Sequence, residues 1–160
     1  MKKIVITFIV LLILGILCDC SGSSVLYNRE AMLENVQAYS EFAKFCQQFF
    51  DGNDKNYSYY YNAENETLFC NTTDKVYQMN KEQAKSAKIV KDTLLIGEQT
   101  LENIYVNDNF VSLSTVELRG SFIYSMDDSK PDFVCFPTEQ KKNIFVEKIT
   151  NNWYFVCEQD

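Results

Sequence analysis

The sequence contains no histidine, and only five glycines and two prolines. Without imidazole there is no usual general base near neutral pH, no His-based catalytic triad and no imidazole metal site. The few glycines fall in no phosphate-cradling motif. The six cysteines include no C-x-x-C pair, so a structural zinc site is not expected. No cofactor is expected. Catalysis would need a carboxylate or tyrosine with a shifted pKa in a pocket. Asp92, Glu102 and Glu117 fall on expected strands and are candidates in principle, although a solvated strand face is the commoner fate of such acids.

Charge is missing from one stretch. After Lys2 and Lys3, residues Ile4 to Cys18 carry none. The run is short for a helix of about 20 residues that spans a bilayer. It suits a secretory signal over 1–20, with a short tether over 21–27 and a single domain over 28–160. The alternative is an uncleaved anchor on the outer face of a membrane. Within "LCDCSGSS", Cys18 and Cys20 each meet only part of a lipid-attachment pattern. Small residues before Ser21 and Ser23 suit a plain cut, so lipid attachment at either cysteine is disfavoured. The expected mature chain is secreted, with its N-terminus within 21–24.

Basic residues are also scarce, with 15 Lys and Arg against 22 Asp and Glu. An acidic surface repels nucleic acid, and no basic stripe stands out in the sequence. The same balance disfavours anionic lipid, leaving the N-terminal segment as the one membrane contact.

Four cysteines remain beyond the signal: Cys46, Cys70, Cys135 and Cys157. An even number in an exported chain favours two disulfides; the alternative is four buried thiols. If 133–136, 143–149 and 153–158 form a meander, a whole strand separates Cys135 from Cys157, about 9.6 Å and too far for a bridge. Pairs joining the first half to the second are then expected, with Cys46–Cys70 as a local alternative.

Apolar positions from Met32 to Phe50 recur at steps of three and four. They predict one long amphipathic helix, capped by Asn28 and ended at Asp51-Gly52. Residues 57–79 are ambiguous: 67–70 reads as strand, 74–79 as strand or helical turn. Asn80 and Gln83 form a capping pair for a short helix over 81–88. From Lys88 the period becomes two. It predicts strands at 88–96, 100–106 and 110–118, the last continuing through a bend at Gly120 to 126, and further strands at 133–136, 143–149 and 153–158. "NDN" at 107–109 and "TNN" at 150–152 are hairpin signals. The fold class is α+β, a long N-terminal helix packed on an antiparallel sheet of five or six strands.

That order, and the ending "VEKITNNWYFV" (146–156), resemble the nuclear transport factor two-like, or cystatin-like, cone superfamily. The resemblance implies a helix lying across a curved sheet. Some members are enzymes with an Asp, His or Tyr inside the cone, and many exported members look like binding or assembly modules.

"NYSYYYN" (56–62) is the most unusual composition. Tyr57, Tyr59, Tyr60 and Tyr61 could meet a protein, peptide or sugar partner. The competing reading packs Tyr57, Tyr59 and Tyr61 on the helix and leaves Tyr60 outside. Three glycosylation sequons begin at Asn56, Asn65 and Asn71. Three functions follow for comparison: a non-catalytic exported binding or assembly module, a lipocalin-like carrier with a disulfide-stapled barrel, and a cone-cavity enzyme. A filled interior favours the first, an empty apolar cavity the second, and a buried acid beside a tyrosine the third.

Overall fold

The computed structural model describes residues 29–50, 52, 57–94, 101, 103–114, 120–132 and 143–159. The expected signal and tether, Cys18, Cys20, the expected Asn28 cap, Asp51, Asn56, Glu102, Glu117, Cys135 and the expected strand at 133–136 lie outside them. The chain is α+β. Helices α1 (Arg29–Glu34), α2 (Val36–Gln47) and α3 (Lys81–Leu94) pack on an open antiparallel sheet of eight strands. The strands are β1 (Tyr57–Asn62), β2 (Thr67–Cys70), β3 (Lys75–Gln78), β4 (Asn103–Val106), β5 (Phe110–Ser114), β6 (Gly120–Ser125), β7 (Asn143–Thr150) and β8 (Trp153–Gln159). Their order is β3-β2-β1-β4-β5-β6-β8-β7. No helix among the described residues is long and apolar enough to cross a membrane.

The expected single N-terminal helix is two helices. Asn35 separates them with φ −115° and ψ 19°, and its side-chain amide donates to the Ala31 carbonyl at 2.8 Å. An Asn side chain that binds local backbone competes with the regular ladder, which is why Asn is a poor residue inside a helix. The second helix stops at Gln47, short of the expected Asp51. Phe49 and Phe50 leave the helical path to stack on Tyr77, at 3.8 Å between ring centroids, and to meet Tyr57 edge-on at 5.2 Å.

The expected strand at 88–96 is helix as far as Leu94. Ala84, Ala87, Val90 and Leu94 are buried along one face, so helical burial begun before Lys88 carries through it. Ile89 and Val90 suggested strand by composition, and packing overrides that propensity. The capping pair is present: the Gln83 N–H donates to Asn80 Oδ1 and the Asn80 N–H to Gln83 Oε1, both at 2.9 Å.

Three strands precede α3 and the expected 110–126 strand is two, so the described sheet has eight strands rather than five or six, although 88–94 is helix. The expected continuous strand from 110 to 126 is a pair of antiparallel strands, with Ser114 opposite Ser121. Gly120 allows a close approach within this pair's neighbourhood, because a Cβ there would meet Phe155 Cζ at 2.7 Å. The "NDN" turn is present, closed by the Asn107 N–H on the Phe110 carbonyl at 3.0 Å. The sheet is open, with β3 and β7 at its ends, and does not make the barrel of the carrier reading.

Aromatic rings fill the space between helices and sheet. Tyr39 meets Trp153 edge-on at 5.7 Å and Phe122 at 6.5 Å. Phe42 meets Tyr61 at 6.1 Å. Met32, Leu68, Ile104, Leu113 and Phe155 complete this core. A smaller cluster of Ile123, Tyr154 and Val156 lies on the opposite face.

Candidate functional site

The tyrosine-rich segment is strand β1, and its burial alternates. Side chains alternate across a strand, so Tyr57, Tyr59 and Tyr61 enter the core while Tyr60 stays half-buried on the other face. Three of the four tyrosines offered as partner contacts are therefore covered. Burial raises the Tyr59 phenol pKa, reinforced by Cys70, Tyr77, Cys46 and Tyr57 nearby. Its hydroxyl has no hydrogen-bond partner among the described residues. Tyr39 is pushed up to about 12 by burial, partly offset by its hydrogen bond with Thr93 at 3.1 Å.

Cys46 and Cys70 are free and buried in the same core. Neither joins the second half of the chain, and they do not bridge each other. Both expected pairings of these two cysteines are corrected. Desolvation drives the Cys46 thiol pKa upward, as expected of a small apolar core residue. Cys157 is disulfide-bonded.

Among the described residues the buried polar side chains are serines: Ser86, Ser112, Ser114, Ser121 and Ser125. No Asp or Glu among the residues with described burial is buried, and Asp92 is exposed on α3 rather than on a strand. Among the described residues no group of His, Cys, Asp and Glu could hold a metal ion.

The densest polar cluster joins two turns. Asp128 and Asn152 both take left-handed backbone, with φ 60° and 64°. Asp128 Oδ1 accepts from the Asn152 N–H at 2.8 Å, and Asp128 Oδ2 pairs with Lys148. Tyr154 donates its hydroxyl to the Asp128 carbonyl at 2.7 Å. The Lys148 hydrogen bond and then the Asn152 N–H hold the Asp128 carboxyl below its ordinary range. Its hydrogen-bonding capacity goes into holding the β7–β8 turn against the end of β6, so the cluster is a brace.

Two surface features are left. On α3, Lys81, Lys85 and Lys88 are exposed at steps of four and three, with Lys91 half-buried beyond them. They form a row about 10 Å long from the rise of the helix, interrupted by Asp92. Lys85 and Lys44 of α2 both lie close enough to Glu41 to favour its charged form, after its hydrogen bonds with Gln37 and Ser86. Lys81, Lys85 and Lys88 all lie within the helix expected over 81–88, so their shared face was legible in the sequence; only Lys91 needed the helix to run on to Leu94.

The second feature is on the sheet face away from the helices. Tyr60, Phe69 and Val76 stand directly opposite one another across β1, β2 and β3. Tyr60 and Phe69 are half-buried, and Val76 is 62% exposed at the sheet edge. Sequon residues Asn65 and Asn71 are both exposed in turns, at opposite ends of β2. The Phe69-x-Asn71-x-Thr73 spacing was readable in the sequence; the cross-strand row needed the register. No protein-family model, curated protein or solved structure matches this chain.

Proposed function

We infer that the protein is a non-catalytic exported module that binds an acidic protein surface through the lysine row of α3. The supporting observation is the filled space between helices and sheet. Where a cone-type enzyme or a carrier would hold its ligand, Tyr39 packs on Phe122 and Trp153, and Phe42 on Tyr61, within one core cluster. Function then rests on the outside of the molecule. Four of the chain's 15 basic residues are on this one helix, within an acidic whole. Such local charge steers an oppositely charged partner and sets its register.

Export of the chain by its N-terminal segment comes from residues 1–20. Cross-linking in the extracellular fraction tests the binding role. The wild type should give one recurrent partner that the triple variant Lys81→Glu, Lys85→Glu, Lys88→Glu loses and Lys75→Glu keeps. Equal capture by both variants would contradict the assignment.

A further inference from the structure

We propose that Asn71 carries an N-linked glycan whose first sugar lies on the ring of Phe69. This rests on the export reading and on a different surface from the lysine row. Phe69 is on the sheet face away from the helices, and Asn71 follows two residues later, just past the end of β2. A period of two puts both side chains on one face, about 7 Å apart along the chain. The Asn71 amide confirms that placement, since Nδ2 approaches the Oγ of Ser58, which also faces away from the core. At 3.4 Å that contact is weak, so Nδ2 can be given up to a sugar.

The turn is held by other groups. The Asn71 backbone N–H donates to the Ser58 carbonyl at 2.8 Å, and the Ser58 N–H to Thr72 Oγ1 at 3.1 Å. Asp74 closes it with φ 54°. Thr73, the third sequon residue, has a buried hydroxyl with no hydrogen-bond partner among the described residues. Phe69 stands between Tyr60 and Val76, so the surface beside Asn71 is an apolar strip reaching the sheet edge. The C–H face of an N-acetylglucosamine suits an aromatic face, whose quadrupole is negative. Asn65 has no such neighbour two residues before it: Ala63 stands there.

The modification transfers an oligosaccharide from a lipid-linked pyrophosphate donor. The sugar C1–O bond to the pyrophosphate breaks, and a C1–Nδ2 bond forms. Nδ2 loses one proton, the pyrophosphate leaves with the bonding electron pair, and nothing is oxidised or reduced.

The full chain is expressed in a eukaryotic secretory host in two forms, one with its own N-terminal segment and one with an established secretory signal fused ahead of it. Enzymatic release in heavy-oxygen water marks each formerly occupied asparagine by mass. Asn71 should be marked in both forms, and release should lower Tm by about 2–4 °C in the wild type. In Phe69→Leu, which keeps apolar bulk without the ring face, that loss should fall by at least half. Secretion with Asn71 unmodified would overturn the proposal, as would an equal Tm loss in both backgrounds. If only the fused-signal form is secreted and Asn71 is marked there, the site stands and the export reading fails.

Discussion

Trp153 Nε1 donates a hydrogen bond to Ser40 Oγ at 3.0 Å, across 113 positions of sequence. The Ser40 hydroxyl in turn donates to the Val36 carbonyl at 2.8 Å. One serine thus ties the fully buried indole of β8 to α2. Ser40→Ala leaves a buried N–H without its acceptor, a loss of about 1–3 kcal/mol. Trp153 is the sole tryptophan, so its fluorescence reports the unfolding. The denaturation midpoint should fall with the slope unchanged.

Gly120 makes a second prediction. An added methyl would stand 2.7 Å from Phe155 Cζ and 3.1 Å from the Val156 carbonyl oxygen. The carbonyl is backbone and gives little. Gly120→Ala should cost about 1–3 kcal/mol by overpacking. Gly120→Ala combined with Phe155→Leu should be less destabilised than the two single losses added together, measured by urea denaturation as a double-mutant cycle.

The Asp128–Lys148 brace has a pH signature. The folded carboxyl pKa is lowered, first by Lys148 and then by the Asn152 N–H. Its contribution is therefore present above the unfolded value of about 3.9 and is lost as pH falls through the lower folded value. Lys148 is raised by the same partner, so its share is present below about 10.4 and is lost above its folded value. The groups are solvent-exposed, and the effect is small. In Asp128→Asn the acid limb of stability against pH should be shallower.

At high pH the buried phenols dominate. Burial pushes Tyr39 up to about 12. An unfolded tyrosine ionises near 10. The protonated phenol thus stabilises the fold fully below about pH 10, and that contribution is lost as pH rises through the folded value. A late step in phenolate absorbance should coincide with loss of the near-ultraviolet signal of Trp153. In Tyr39→Phe the alkaline transition should be less steep.

Local patterns proved readable where two or three neighbouring residues decide the outcome. The Asn80–Gln83 capping pair, the turn at 107–109 and the closing hairpin of β7 and β8 all belong to this class. The apolar period at Met32–Phe45 likewise located the helical face that fills the core. The inward packing of Tyr57, Tyr59 and Tyr61 with Tyr60 on the other side was one of the two readings of the sequence, and burial bears it out; that 57–62 is a sheet strand was not readable. Its pairing with β4, Tyr59 opposite Ile104, joins distant segments across α3. The lysine row was within reach of the sequence, because the helix expected over 81–88 already held Lys81, Lys85 and Lys88; only its continuation through Lys91 to Leu94 was missed. Cys46 and Cys70 looked like disulfide partners by count, but they sit among core side chains as free thiols.

Export is the premise on which both the binding role and the glycan stand. It is tested most directly by the intact and N-terminal masses of the protein recovered from outside its own cells. The expected result is a chain beginning within residues 21–24, without lipid. An acyl addition on Cys18 or Cys20 would replace the plain cut by a tether on the outer face, and a chain recovered only from inside the cell with Met1 to Cys20 still attached would contradict export itself.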